Sequence, residues 1–221
     1  MNVLTTPQLH AENLLATSPQ ALPFANSLVA RSYLLGTPDG TVLIYSSEIT
    51  PDDERAIAER GEPVAWYLNH WHESMFLPGT ETVEGLGAIV GEADRAETES
   101  RTTVAGTISE RGFVAPGLEA IPIPGHTPGA TAFLWEAEGV RRLFTGDSLF
   151  IGARGWRAAV LDSSDRESYV ASLEVMADLD FDVLVPWAGS SHLPAVERVE
   201  RDEGRRRMLE IAERVGRGAV R

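Results

Sequence analysis

Three short apolar runs in this chain each end in residues able to hold a metal: "PVAWYLNHWH", "LEAIPIPGH" and "LFTGD". The first is a short apolar run typical of a strand buried on both faces, and the other two read as short strands. A fold that buries a strand this way needs helices over it. "TPDDERAIAERG", ahead of the first run, supplies one: Thr50 is an N-cap, Pro51 the first helical residue, and Gly61 lies beyond the end. In such α/β folds ligand-binding side chains collect where strands exit the sheet.

Other segments extend the pattern. "LVARSYLLGTPDGTVLIYSS" reads as two β-rich runs joined by a Pro-Asp-Gly turn. "TTVAGTISERG" and "GATAFLWEAEG" read as strands, with a tight turn at Gly139. "DRESYVASLEVMADLD" reads as a helix capped by Ser164 or Asp165, and "FDVLVPWAG" as another buried strand. "LPAVERVERDEGRRRMLEIAERVGRG" reads as a charged amphipathic helix interrupted or bent at Gly204. No repeat or long linker divides the 221 residues, so a single domain over 1–221 is expected.

Composition narrows the chemistry. With no cysteine, a metal must be held by His, Asp or Glu. A net charge of −14 argues against nucleic acid and anionic membranes as partners. The N-terminus lacks the basic and apolar regions of a signal peptide, and no run is long enough to cross a membrane. A cytoplasmic protein with a small-molecule substrate is expected, and a homo-oligomer is compatible with it.

The candidate ligands are His70 and His72 in "NHWHES", His126 in "PGHTPG" and Asp147 in "TGDSLF". Prolines and glycines around His126 make a rigid loop that can aim one imidazole. By itself that loop is an ordinary turn with a histidine in it, and a strand-end Gly-Asp usually makes a turn or a cap. In order, however, the three motifs resemble the metallo-β-lactamase superfamily, particularly its glyoxalase II-like members. The resemblance implies a four-layer αβ/βα sandwich with a metal site along one edge.

It also implies which ligands are lost. The family's HxHxDH motif would place an Asp at Ser74 and a third His at Met75. Its last His would fall at Ala188, and its early Asp at Tyr45 or Ser46. One metal of the family is held by residues matching His70, His72 and His126, and the second by the lost set, with the position of Asp147 bridging. One divalent ion is therefore expected here, zinc first, with iron or manganese as alternatives. Asp147 would be a fourth ligand or a base acting on water. The long C-terminal substrate domain of glyoxalase II does not follow, so glutathione thioesters are not specifically expected.

The reading is a mononuclear metal-dependent hydrolase of an ester, thioester or lactone. The alternatives are a catalytically reduced protein of the same fold that binds a ligand or partner, and an iron enzyme like the persulfide dioxygenases. Arg154, Arg157 and Ser148 are candidate oxyanion donors, though both arginines also fit a surface loop. Trp66 reads as core, while Trp71, Trp156 and Trp187 are candidates to wall an apolar pocket, with Trp187 filling the second metal's space. His192 reads as a surface histidine, Glu73 as a solvated or salt-bridged carboxylate, and His10 has no assigned role.

Overall fold

The computed structural model describes residues 7–25, 27–76 and 85–219. A seven-stranded sheet runs in the order Gln8–Ala11, Leu14–Ala16, Tyr33–Thr37, Gly40–Ile44, Pro63–Tyr67, Ala88–Gly91 and Val104–Ile108. A six-stranded sheet runs Gly112–Ala115, Leu118–Pro122, Thr131–Ala137, Val140–Gly146, Val183–Pro186 and Glu197–Arg198. Five shorter strands form a third sheet: Gly155–Arg157, Phe150–Gly152, Ala188–Ser190, Leu28–Ala30 and Gln20–Ala21. The helices are α1 (Pro51–Ala58), α2 (Arg95–Glu99), α3 (Arg166–Ala177) and α4 (Arg201–Gly216).

The layering follows from side-chain alternation along the strands. Tyr33, Leu35, Val42 and Ile44 point from the seven-stranded sheet into a central core, where they meet Phe133, Trp135, Phe144 and Val185 of the six-stranded sheet. Their neighbours Leu34 and Leu43 point outward and pack with Ile57 of α1. Ala132, Leu134, Leu143 and Leu184 point the other way, against Leu173 and Met176 of α3 and Met208 and Ile211 of α4. Two sheets face to face, each with helices outside, make the expected four-layer αβ/βα sandwich. Because both faces of the central strands are covered, their sequences are continuous apolar runs.

Two expectations need correction. The run "LVARSYLLG" is split: Leu28–Ala30 pairs with Ala188–Ser190, while Tyr33–Thr37 alone forms the hairpin with Gly40–Ile44 across Pro38-Asp39. The last helix is not interrupted at Gly204. It starts at Arg201 and runs unbroken to Gly216, because the residues before it are extended and Glu197–Arg198 pairs with Val183–Pro186. Gly204 packs closely inside the helix, where a Cβ would stand 3.3 Å from the Phe181 ring.

The helix α1 begins as expected. Thr50 accepts from the Asp53 backbone N–H and Asp53 accepts from that of Thr50, a capping box. Asp165, rather than Ser164, caps α3 by accepting from Ser168 N–H. Parallel pairing then aligns the exits of the strands. Gly40–Ile44, Pro63–Tyr67 and Ala88–Gly91 run together in one sheet, and Val140–Gly146 and Val183–Pro186 in the other. Tyr45, His70, Asp147 and Trp187 thus emerge on one edge.

Candidate metal centre

Three imidazoles converge at that edge. One nitrogen from each of His70, His72 and His126 lies within 4.8 Å of the other two. His72 Nδ1 and His126 Nε2 are 3.0 Å apart, close enough to share one cation. Asp147 Oδ2 stands 3.6 Å from His70 Nε2 and 3.8 Å from His126 Nε2.

Two of the three rings are oriented from behind. His126 Nδ1 donates to the Ala159 carbonyl at 2.7 Å, which leaves Nε2 bare toward the cluster. His70 Nδ1 lies 3.0 Å from Asn69 Oδ1, so its Nε2 carries the lone pair. That Nε2 is sealed from solvent and has no hydrogen-bond partner. A buried acceptor without a partner costs free energy unless something fills the role, and an electrophilic ion does. The residues present therefore fit one divalent metal.

Burial favours the neutral, metal-binding form of His70 and His72. Desolvation, then the neighbouring His126 and His72, pushes His70 well below the usual histidine range. His72 is held at about 4 by partial burial, His126 and Arg101. Desolvation raises the Asp147 carboxyl, partly offset by His126.

The second set of ligands is gone in space as in sequence. The Ser74 hydroxyl donates to the Trp71 carbonyl, and Met75 is half exposed. Trp187 fills the interior beside Ala188, its ring edge-on to His70 at 5.7 Å and 5.4 Å from Phe76, with Nε1 donating to the Ser46 carbonyl. Tyr45, where the early Asp was expected, sits at φ 70° and is fully buried. Its hydroxyl donates to the Val185 carbonyl and accepts from Gly146 N–H, which pins the turn that carries Asp147.

The other residues singled out in the sequence have mixed fates. His192 is exposed and outside the cluster, the surface histidine expected. Trp66 is core, as expected, and donates to the Tyr45 carbonyl. Trp71 lies over His72, with ring centroids 3.9 Å apart. Trp156 walls no pocket at the site: it packs with Phe181 and donates to Glu197. Arg154 is exposed in a groove beside α4, and the Ser148 hydroxyl is sealed from solvent, so neither is offered as an oxyanion donor. Arg157 does line a cavity that has Asp147 in its wall.

Glu73 is neither solvated nor paired with a fixed cation. Its side chain is fully buried, with Oε1 3.0 Å from His70 Nδ1, on the far side of the ring from the cluster. Burial and then Asp147 raise its carboxyl well above the usual range, offset in part by the Asn69 and His70 backbone.

Sequence reasoning missed Asp94. Its buried carboxylate accepts from Trp71 N–H at 3.1 Å, Thr127 Oγ1 at 2.5 Å and Gly129 N–H at 2.8 Å. One side chain thus ties the His70–His72 loop to the loop of His126. "GEADR" looks like an ordinary helix start, and the only available signal was an acid at the exit of a buried strand.

The Metallo-beta-lactamase superfamily profile matches residues 55–188. The chain belongs to the metallo-β-lactamase superfamily. A hydroxyacylglutathione hydrolase of Anaeromyxobacter dehalogenans (strain 2CP-C) is 33% identical over 123 residues, covering 54% of this chain and 46% of that protein. The chain thus spans about half the length of the curated relative it matches. Among solved structures, a metallo-beta-lactamase from Pontibacter korlensis aligns with TM-score 0.70 at 19% identity, covering 94% of this chain and 98% of that one. FIM-1 from Pseudomonas aeruginosa, in its mono-zinc form, aligns with TM-score 0.72 at 13% identity, covering 95% of each chain. At these identities the structures establish the fold alone. No helix among the described residues is long and apolar enough to cross a membrane.

Proposed function

We propose that this superfamily member is a mononuclear metal-dependent hydrolase of an ester, thioester or lactone, formed by one domain over residues 1–221. The observation that carries the reading is the buried, partnerless Nε2 of His70 converging with nitrogens of His72 and His126. In this reading His70 Nε2, His72 Nδ1 and His126 Nε2 hold one divalent ion, zinc first, with Asp147 beside them. A bound divalent ion supplies Lewis acidity toward water and toward a carbonyl oxygen.

The chain's own residues do the rest. Asp147 Oδ2 is placed to accept the proton of an attacking water, and burial makes it a stronger base than a solvated carboxylate. Hydrogen bonds accepted by the Ala159 carbonyl, Asn69 Oδ1 and the Asp94 carboxylate keep the two histidine loops in register, so little ordering is left for the reaction. Trp187 and Phe76 exclude water behind His70.

A second reading is a binding protein of the same fold without catalysis. It is favoured by the joint loss of ligands at Ser74, Met75 and Ala188. Elemental analysis of untagged protein purified without chelators separates the two. About one equivalent of metal, lost in His70→Ala and His126→Ala, together with turnover of activated esters, supports the hydrolase. Absence of metal after zinc, iron and manganese supplementation overturns it.

A further inference from the structure

A cavity of about 300 Å³ opens beside the histidine cluster, with Asp147 in its wall. Leu22, Phe24, Leu28, Phe150, Val160 and Leu161 give it an apolar lining. Phe24 is 70% and Leu161 40% exposed, so large apolar surface is left open at the mouth. Exposed Phe and Leu are unfavourable in water unless something covers them. Among the described residues the ionisable lining groups are Asp147 and Arg157, one of each sign. A highly charged acyl or leaving group would lose hydration there without matching partners. An apolar group loses nothing of the kind.

We infer that this cavity is the acyl subsite, taking an uncharged, unbranched or aromatic acyl chain of roughly six to ten carbons whose scissile carbonyl lies at Asp147. The inference rests on the hydrolase reading and names its substrate class. The volume sets the length: at about 30 Å³ per small group, the space holds on the order of ten non-hydrogen atoms. In the reaction the acyl carbon's bond to the leaving oxygen or sulfur breaks. Water supplies hydroxyl to the acyl carbon and a proton to the leaving group, giving a carboxylic acid and an alcohol or thiol.

The test is a series of p-nitrophenyl esters, acetate to decanoate, with the zinc-loaded full chain. Burying a methylene is worth about fourfold, so kcat/KM should rise at least tenfold from acetate to hexanoate and level off by about decanoate. Leu28→Trp, which fills the cavity, should lower the hexanoate-to-acetate ratio at least fivefold. Leu161→Ser, at an exposed residue and milder for folding, should lower it about twofold. Octanamide, which is not turned over, should bind the wild-type chain in calorimetry and lose affinity in both variants. Ester hydrolysis with a flat chain-length profile and no octanamide binding overturns the acyl subsite while leaving the hydrolase reading intact. Octanamide binding that weakens in Leu28→Trp, with no ester hydrolysed, upholds the subsite and overturns the hydrolase.

Discussion

The Glu73 carboxyl stands 3.0 Å from His70 Nδ1, and both side chains are wholly excluded from solvent. Asn69 Oδ1 is equally near that nitrogen and receives its proton, so neither Glu73 oxygen has a well-formed hydrogen bond. A buried polar group in that state costs about 1–3 kcal/mol. Glu73→Met, similar in length, is expected to stabilise the metal-free protein by about 1 kcal/mol in urea denaturation. If the carboxyl helps fix the His70 ring, the same variant should bind zinc about tenfold more weakly in chelator competition. Destabilisation by more than about 1 kcal/mol would show that the carboxyl has a partner after all.

Asp94 joins the two histidine loops through three accepted hydrogen bonds. Asp94→Ala would leave two backbone N–H groups and a hydroxyl buried without an acceptor. The expected cost is about 2–4 kcal/mol, with at least a tenfold loss in zinc affinity. Asp94→Asn keeps the shape and one acceptor oxygen and should fall between. Equal zinc affinity in Asp94→Ala and wild type would mean the loops hold their register without it.

Acid should weaken the metal-free fold through His72. Its pKa is about 4 in the folded chain against 6.5 for an ordinary histidine, chiefly through partial burial. Between those values the unfolded chain binds a proton that the folded chain does not. The contribution is therefore fully present above pH 6.5 and is lost as pH falls toward 4. Because the ring is only half-buried, solvent screening keeps the slope below the ~1.4 kcal/mol per pH unit of a shielded group. Urea titrations of zinc-free wild type and His72→Asn should diverge on moving from pH 7.5 to 5, with the wild type losing more. Parallel profiles would remove His72 as the cause.

The motifs legible in the sequence are those where backbone geometry demands a particular residue. Gly146 has φ +56°, and a Cβ there would fall 1.9 Å from Asn69 Oδ1. "TGD" is thus a statement about close approach as well as about a ligand. Gly146→Ala should cost about 2–4 kcal/mol and loosen zinc binding by displacing Asn69 from His70, measured by denaturation and chelator competition. Apolar runs revealed the buried strands because the central strands are covered on both faces, while the four layers followed only from the resemblance that the three motifs carry. Asp94 and Glu73 stayed hidden, since an acid near a helix start or one residue from a motif usually faces water. The hairpin Gln8–Ala16 and the short strand Glu197–Arg198 escaped notice because their pairing depends on distant neighbours.

Restoring the family's missing ligands should not restore a second metal. Met75 is 50% exposed, so a histidine there would start from a side chain directed at solvent rather than at Asp147. Ser74 is tied to the Trp71 carbonyl within a 3₁₀ turn, and the space beside Ala188 is occupied by the Trp187 ring, itself anchored to the Ser46 carbonyl. Tyr45 fills the place of the early Asp and cannot leave without releasing Gly146 N–H and the Val185 carbonyl. The triple variant Ser74→Asp, Met75→His, Ala188→His is therefore expected to bind no more than one equivalent of zinc, by elemental analysis after dialysis. Adding Trp187→Gly to open the space should be needed before a second equivalent appears. Two equivalents in the triple variant alone would show that the aromatic filling yields to a metal, and that the loss of the second ion rests on the missing ligands only.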